Sequence, residues 1–561
     1  MNLKDPTASS MDTVDTPDIK HINGQDLKKL VDASISWLRS NQQLVNSLNV
    51  FPVPDGDTGT NMLLTMQSAW NEIAEMDDLK IGRMAHAVSQ GALMGARGNS
   101  GVILSQLWRG FARVLDDLDY MDSKIFVAAI NESRNTAYKG VVRPVEGTIL
   151  TVAKDIAAAV EISSEKSDNL FAILKDLVKA ADVSVQRTPE LLPILKQAGV
   201  VDSGGKGLYF LFEGMLRFLE GQSLEASATA IQSLATMDLS HTLAEIEPGQ
   251  DYEVVIDFQP KKDFQLDTFY ENLSKIGTSI QIGEGDDMYR MHIHVPTDKR
   301  YDPIDYTMTQ GTVTKIAIEN LIDQMQELGK SKKHKLEFAE VKPGQVAVVT
   351  ISPGVGISRI FASLGVSAIV EGGQTMNPST EEILKAVNDL PTDKVIILPN
   401  NKNIILAAQS AASMATKTVR VVASKSIPQG LSAILRLDPD GDIEDLTKKM
   451  EDSLGEVETG EITTATRSVD INSVNVKEGQ VIVLHNGELI GSFANLKDAC
   501  FEFLSRAGVE ERERITFFYG INIEKPAVDD LAKLVHERYP HHEIEIHEGG
   551  QPYYQFIISL E

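Results

Sequence analysis

The sequence predicts a multidomain protein: an all-helical N-terminal domain, a small α+β middle domain and a C-terminal two-lobed α/β region. Three observations carry this. A chain of 561 residues exceeds what one hydrophobic core supports, so about three or four domains are expected. Apolar residues recur at amphipathic-helix spacing between Leu27 and Phe218. Short β-branched runs alternate with helical segments toward the C-terminus, the pattern of a parallel sheet covered by helices.

Residues 1–20 are polar, acidic and proline-containing, lack the apolar core of a signal peptide, and are expected to form a disordered tail. Residues 21–222 make the helical domain. Leu27, Leu30, Val31, Ile35 and Leu38 form one stripe, and Met62, Met66, Ala69 and Ile73 a second. Ile103, Leu107, Phe111 and Val114 form a third, Ile149, Val152, Ile156 and Val160 a fourth, and Leu208, Leu211, Met215 and Phe218 a fifth. Residues 223–247 turn to Ser, Ala, Thr and Glu, a linker composition.

In the middle domain, 248–330, Tyr252–Phe258 and Thr278–Ile282 read as strands, and Leu266–Ile276 and Val313–Leu328 as helices. Tyr289 to Val295 alternates strictly. Tyr289, Met291, Ile293 and Val295 share one face, and Arg290, His292 and His294 the other. Ser331–Lys335 is a basic linker. In 336–561, the runs VAVVT, SAIV, KVIIL and VRVVA read as strands of a parallel sheet. Ser379 and Glu382 have capping-box spacing. A second lobe starts after about Asp438, contains an Asn486-Gly487 hairpin turn and ends in a strand at Phe556–Leu560. EGGQ occurs at Glu371–Gln374 and again at Glu548–Gln551, each after a strand. Matching corners of two related lobes and coincidence both account for the echo.

Composition narrows the function classes. A net charge of −27 argues against a nucleic-acid surface, which needs clustered Lys and Arg, and against docking on anionic lipid. No apolar run approaches the roughly 18 residues of a membrane span, so stable membrane insertion is not expected. Cys500 is the only cysteine, so no disulfide framework or multi-thiolate metal site exists, and a reducing cytoplasm fits.

The chemistry is carried by small-residue turns. PDGDTGTN, Pro54–Asn61, sets Asp55 and Asp57 either side of a glycine, and alternate side chains of an extended D-x-D point the same way. Paired carboxylates suit a hard divalent cation, although Asp and Gly also favour plain solvated turns. GARGNSG, Gly95–Gly101, leads into the third stripe. There Asn99, Ser100 and Gly101 precede a helix whose first N–H groups can cradle phosphate. The alternative is a helix-packing corner that needs small residues. Two further turns, Arg143–Thr148 and Val201–Gly207, also open helices, so the four are expected to converge at one end of a bundle. No G-x-x-x-x-G-K-[ST] is present, which excludes a P-loop. SPGVGISR matches G-x-G-x-x-G incompletely and is not expected to bind a dinucleotide. His292 and His294 share a strand face and could contribute to a zinc site. The preceding strand, DYEVVID, offers no cysteine, so a surface or hydrogen-bonded histidine pair is expected instead.

DGDTGTN, GALMGARGNSGVILSQ, PVEGTILT and DSGGKGL closely resemble the nucleotide-binding domain of the dihydroxyacetone kinase family. With EGGQTMNPST and KSIPQG further on, the domain order resembles the ATP-binding component of fatty acid kinases over nearly all of the chain. The resemblance implies an antiparallel helical barrel with Mg2+ and ATP at one end. It implies that Asp55 and Asp57 are the catalytic pair and ligate magnesium. Thr58, Gly59, Thr60 and Asn61 would contact phosphate, and Asn99, Ser100 and Gly101 would form the phosphate loop. Asp202, Ser203 and Gly204, with Arg143 and Thr148, would lie by the nucleotide. Small-ketone kinases of the family carry a further aspartate upstream. Here the stretch reads LNVFPVPD, and Asn49 is the nearest substitute, one residue out of register.

The expected function is phosphoryl transfer from ATP to the carboxylate of a fatty acid held by a separate fatty-acid-binding protein. The C-terminal region would serve docking of that partner. A small-ketone kinase and a non-catalytic nucleotide sensor are the alternatives. The oligomeric state is left open, a homodimer included.

Overall fold

The computed structural model describes residues 17–49, 56–141, 143–224, 232–233, 251–262, 264–285, 288–320, 336, 338–374, 376–465, 468–471 and 474–561. The chain divides into two compact units. One comprises residues up to Asn49 and Asp57–Leu224, and the other Val50–Gly56 and everything after Leu224.

The first unit is all-helical: α1 (Gly24–Ser40), α2 (Gln42–Leu48), α3 (Thr58–Ile73), α4 (Ile81–Met94), α5 (Gly98–Leu115), α6 (Ser123–Lys139), α7 (Ile149–Ser164), α8 (Leu170–Leu191), α9 (Pro193–Ala198) and α10 (Ser203–Leu219). Helices α3 to α8 each pack on the next, α8 packs on α10, and α10 returns to α1, which also packs on α4. The ring is therefore closed. Its interior is apolar: Leu30, Leu107, Phe111, Phe126 and Leu211 surround a cavity of about 90 Å³. Helix α6 has no strong apolar stripe because it approaches α5 on small residues. A Cβ at Gly110 of α5 would lie 2.4 Å from the Glu132 carbonyl oxygen, and Ala129, Ser133 and Ala137 are buried on the facing side.

The expected tail is partly docked. The Ile19 N–H donates to Asn169 Oδ1 at 3.0 Å, and Leu170 N–H donates to the Ile19 carbonyl at 2.8 Å. The described tail residues, 17–20, thus meet the start of α8. Residues 1–16 lie outside the described residues.

The second unit contains a middle sheet and two C-terminal lobes. The middle sheet has the order β1-β3-β4-β2-β5, with β1 (Gln232–Ser233), β2 (Tyr252–Pro260), β3 (Thr278–Gly285), β4 (Met288–Val295) and β5 (Gly311–Asn320). Helix α11 (Leu266–Leu273) sets Phe269 and Leu273 against Val254, Ile256 and Phe258 of β2 and Met291 and Ile293 of β4. One expectation is corrected here. Val313–Asn320 is not helical: β5 pairs antiparallel with β2 from Gly311 to Asn320, and 321–328 lie outside the described residues. The segment TVTKIAI is rich in β-branched residues, and pairing with a buried neighbour decides a pattern that spacing alone leaves ambiguous. Within the linker-like stretch, Gln232 and Ser233 pair in parallel with Gly283 and Glu284.

The first C-terminal lobe is a parallel sheet of order β7-β6-β8-β9, with β6 (Val346–Ser352), β7 (Ala368–Glu371), β8 (Lys394–Leu398) and β9 (Thr418–Val421). Ser379 caps the helix Thr380–Asn388 in a full capping box with Glu382. The second is a mixed six-stranded sheet of order β14-β13-β10-β17-β15-β16, with a separate two-stranded β11-β12 ribbon. Its strands are β10 (Glu458–Thr464), β11 (Val469–Ile471), β12 (Val474–Val476), β13 (Val481–His485), β14 (Glu488–Phe493), β15 (Arg514–Tyr519), β16 (Glu543–Glu548) and β17 (Tyr554–Leu560). Asn486 and Gly487 turn β13 into β14 with φ of 51° and 84°, the two left-handed residues of a type I′ hairpin. The glycines of SPGVGISR serve packing. A Cβ on Gly356 would lie 1.7 Å from the Glu548 carbonyl oxygen, and one on Gly354 2.5 Å from that of Gly549. They admit the second EGGQ corner rather than a dinucleotide phosphate.

Candidate active site

The glycine turns of the helical unit meet through side chains. Asp57 is the N-cap residue of α3 but makes no side-chain capping bond, so its carboxylate does not hold the helix start. It is 7% exposed, and Asn49 Nδ2 lies 3.4 Å from its Oδ1. Asn49 therefore reaches Asp57 despite its shifted register. Thr58 and Asn61 are buried beside it. Asp55 lies outside the described residues.

The α10 turn joins this cluster directly: the Ser203 hydroxyl donates to Thr58 Oγ1 at 3.1 Å. Asp202 caps α10 by accepting the Gly205 N–H at 2.6 Å. Burial pushes its carboxyl up to about 6, against the pull of N–H groups from Gly205 and Ile149. The Ile149 contact links this turn to the start of α7. A Cβ on Gly204 would stand 3.3 Å from Ile149 Cβ, so the close approach favours a glycine. The Thr148 hydroxyl is engaged locally, donating to the Val145 carbonyl at 2.8 Å and capping α7. Arg143 is exposed on the same loop.

The fourth turn meets α3 one helical turn further on. Thr65 Oγ1 donates to the Asn61 carbonyl at 2.7 Å and accepts the Arg97 N–H at 3.4 Å. A Cβ on Gly101 would collide with Thr65 Oγ1 at 2.3 Å. One expectation shifts here. Asn99, Ser100 and Gly101 do not precede the helix but lie in its first turns, since α5 starts at Gly98. The Gly101 N–H donates to the Arg97 carbonyl at 3.0 Å and is not available to phosphate. Gly98, with φ of 56°, Asn99 and Ser100 occupy the first turn, where the helix itself supplies no carbonyl partner.

A clamp on the DGDTGTN turn escapes the sequence reading. Asn46 accepts the Thr60 N–H at 3.1 Å and donates to Thr60 Oγ1 at 3.1 Å, while Gln42 Nε2 donates to the same oxygen at 2.9 Å. Gly59 must lack a side chain because a Cβ would lie 2.5 Å from the Gln42 carbonyl. The Thr60 N–H is thereby withdrawn from phosphate, and Thr60 becomes an anchor of the turn. The signal that could reveal the clamp is the four-residue spacing of Gln42 and Asn46, which puts both on one face of α2.

The oxygen donors of Asp57, Asn61 and Asn49 suit a hard cation such as magnesium, and the start of α5 at Gly98 is a helix N-terminus of the kind that receives phosphate. The residues present thus fit Mg-ATP.

In the middle sheet, His292 and His294 are buried, at 0% and 1% exposure, so the pair is not a surface feature. His292 is hydrogen-bonded: its Nε2 stands 3.0 Å from Glu253 Oε1. Glu253 lies opposite His294 on β2. Donor atoms of Glu253, His292 and His294 lie within 4.8 Å of one another, a grouping able to hold a metal ion. The sequence reading seeks a cysteine on β2, whereas the third donor is the carboxylate of Glu253.

Among the described residues, no helix is long and apolar enough to cross a membrane. Three family models match the chain: the DAK2 domain over residues 52–217, the FakA-like middle domain of fatty acid kinases over 247–328, and the FakA-like C-terminal domain of fatty acid kinases over 347–561. Protein YloV of Bacillus subtilis (strain 168) is 39% identical, covering 97% of this chain and all of the relative. An uncharacterized protein of Staphylococcus aureus (strain USA300) is 37% identical over the same shares. Among solved structures, the fatty acid kinase B3 protein of Streptococcus pneumoniae, loaded with linoleic acid, aligns with 38% of this chain and 99% of its own, at a TM-score of 0.28 and 10% identity. DegV, a fatty acid binding protein from Bacillus subtilis, aligns over the same shares at 0.29 and 16%. With three successive domains matched and full-length relatives this similar, the chain belongs to the FakA-like fatty acid kinase family, whose members carry a DAK2 domain.

Proposed function

We propose that this chain is the ATP-binding catalytic component of a two-component fatty acid kinase. It transfers the γ-phosphoryl group of ATP to the carboxylate of a fatty acid held by a separate binding protein. The observation that carries this is the Ser203–Thr58 hydrogen bond, which brings the α10 turn against the DGDTGTN turn next to buried Asp57, within a domain whose family is a kinase family. The C-terminal match is to one subunit of a fatty acid kinase, which supports a partner.

Asp57, with Asn49 and Asn61 beside it and Asp55 in the same motif, would hold the cation. Bound magnesium supplies neutralisation of phosphate charge. The first turn of α5, at Gly98–Ser100, presents N–H groups to phosphate oxygens, and the Ser203–Thr58 pair fixes the facing turn. Asn46 and Gln42 hold the DGDTGTN turn in place. The fatty acid carboxylate is ionised at neutral pH and attacks phosphorus directly. One P–O bond forms, the bond to ADP breaks, and no proton moves, so no general base is required. Positioning and charge neutralisation account for catalysis of this type.

The test is incubation of the full chain with ATP, magnesium and a fatty-acid-loaded binding protein, with acyl phosphate trapped by hydroxylamine. Acyl hydroxamate that requires both proteins is the expected product. Phosphorylation of dihydroxyacetone by the lone chain would establish the small-ketone reading, and nucleotide binding without any turnover the sensor reading.

A further inference from the structure

The loop between α6 and α7 holds a carboxylate that the site described above does not use. Glu146 accepts hydrogen bonds from three side chains. Tyr138, in the last turn of α6, donates its hydroxyl to Oε1 at 3.0 Å. Thr151 and Lys154, both in α7, donate to Oε2 at 2.7 and 2.6 Å. One loop residue thus ties together the two helices that flank the loop. The Lys154 ammonium, with the Thr151 and Tyr138 hydroxyls, holds the Glu146 carboxyl below the ordinary carboxylate range, against the opposing effect of burial.

The network continues into the backbone. Thr151 is fully buried, and its Oγ1 accepts the Gly147 N–H at 2.8 Å. Gly147 has φ of 84°, and a Cβ there would stand 2.7 Å from Leu192 Cβ, so the loop lies against the residue that ends α8. The Val145 carbonyl is held by the Thr148 hydroxyl, and the Ile149 N–H by the Asp202 carboxylate. The segment 145–149 is therefore fastened at successive residues. Exposed Arg143 joins it through Pro144, whose ring restricts φ.

Global stability does not account for the arrangement. The side chains of Lys154 and Glu146 are 45% and 48% exposed, and an ion pair this open to water contributes little to folding. Helices α6 and α7 pack directly on each other and do not need a bridge across their ends. What the carboxylate adds is a single conformation for the loop. That matters for Arg143, because guanidinium and phosphate bond through a planar fork whose geometry must be met. A loop already ordered loses less conformational entropy when it binds.

We propose that Glu146 is a positioning residue for nucleotide binding: tied to Tyr138, Thr151 and Lys154, it holds the α6–α7 loop so that Arg143 meets the phosphate groups of ATP. The inference rests on the reading of the helical unit as the ATP site, and adds to it a residue that touches no ligand.

The test is calorimetric titration of the full chain with Mg-ATP. In Glu146→Ala the affinity should fall about tenfold, the scale of one hydrogen bond to a charged group, while Tm stays near that of the parent. Tyr138→Phe combined with Lys154→Met removes two of the three ties in a chain whose loop sequence is intact, and should give a similar loss. Glu146→Gln, which still accepts but lacks the ion pair, should fall between. The deciding variant is double. Arg143→Ala removes the group being positioned, so adding Glu146→Ala to it should weaken binding no further. A carboxylate that acts on the fold alone would instead give losses that add. Lys175→Ala, which breaks the surface ion pair with Glu220 at the other end of the ring, is the control and should bind as the parent does. A folded Glu146→Ala chain that binds Mg-ATP like the parent, or losses that add with Arg143→Ala, overturns the positioning role while leaving the ATP site in place. A parent chain that does not bind Mg-ATP overturns the ATP-site reading and this role with it.

Discussion

The Ser203 hydroxyl donates to the Thr58 hydroxyl across 3.1 Å, joining turns 145 residues apart. This bond places the cap of α10 against the first turn of α3, so Asp202 and Asp57 belong to one end of the ring. What holds that end together can be tested separately from what does chemistry there.

Asp57→Ala should abolish phosphoryl transfer while leaving the fold intact. Its carboxylate makes no capping bond to α3, so the helix start does not depend on it. Loss of one of few metal carboxylates should cost roughly a hundredfold or more in rate. Near-normal turnover by a folded variant would remove Asp57 from the site.

Asn46→Ala tests the clamp. It removes two of the three side-chain contacts on Thr60 and should lower kcat/KM by about ten- to a hundredfold, the scale of a small misplacement of reacting groups. Asn46→Asp, which still accepts the Thr60 N–H, should recover part of the loss. The neighbouring exposed Gln43→Ala is the control. Equal activity in all three variants would show that the turn holds its shape without α2.

Asp202 gives a pH signature. Burial raises its carboxyl from the ordinary 3.8 to about 6, so between those values the native state keeps a proton the unfolded chain has released. Stability contributed by this group therefore falls as pH rises through that window, by at most about 3 kcal/mol. Asp202→Asn still caps α10 and removes the penalty. Its Tm should exceed that of the parent at pH 7.5, with the difference vanishing below about pH 4. A difference that is constant with pH would mean that the carboxyl is not buried in solution.

These residues also show how far the sequence can be read. The turns are legible because small residues at helix starts have few other uses, and the histidine face because strand alternation is strict. Asn46 is not, since its role depends on a helix of seven residues folding back on a turn 14 residues away. Gly98 escapes notice because the third stripe marks where α5 becomes apolar, not where it begins. Val313–Asn320 reads as helix because spacing cannot reveal the strand it pairs with. Glu253 acquires meaning only through its register with His294.

That register bears on metal binding. A zinc site made wholly of Cys and His is not expected, because Cys500 is buried elsewhere. Glu253, His292 and His294 offer a carboxylate and two imidazoles instead, a three-ligand set known for zinc. Zinc added to the chelator-stripped chain should raise Tm, and Glu253→Ala or His292→Ala should abolish the rise. An unchanged Tm on zinc addition would leave the cluster as a hydrogen-bonded pair with a buried neighbour.

The last prediction concerns the acyl chain. The lone protein should turn over free fatty acid poorly. A long tail must be shielded from water, at about 0.8 kcal/mol per CH₂, and the apolar cavity inside the helical ring measures about 90 Å³. A cavity of about 150 Å³ holds no more than benzene, so the ring cannot enclose such a tail as it stands. In the C-terminal region the crevice beside Asn400 is smaller still, at about 30 Å³, and the hollow of about 780 Å³ beside Phe501 and Arg538 is open to solvent and lined by charged side chains, which does not suit an acyl tail. Shielding by another protein is therefore expected, and adding a fatty-acid-loaded binding protein should switch on acyl phosphate formation. A chain ending near Gln222 contains the whole helical ring and should fold and bind Mg-ATP, which calorimetry would read. Deleting everything after Ser331 should likewise preserve ATP binding but abolish acyl phosphate formation, because the partner would lose its docking region. Full activity in that truncated protein would move docking to the helical or middle domain. Rapid use of free fatty acid by the intact lone chain would require an acyl pocket that opens in solution.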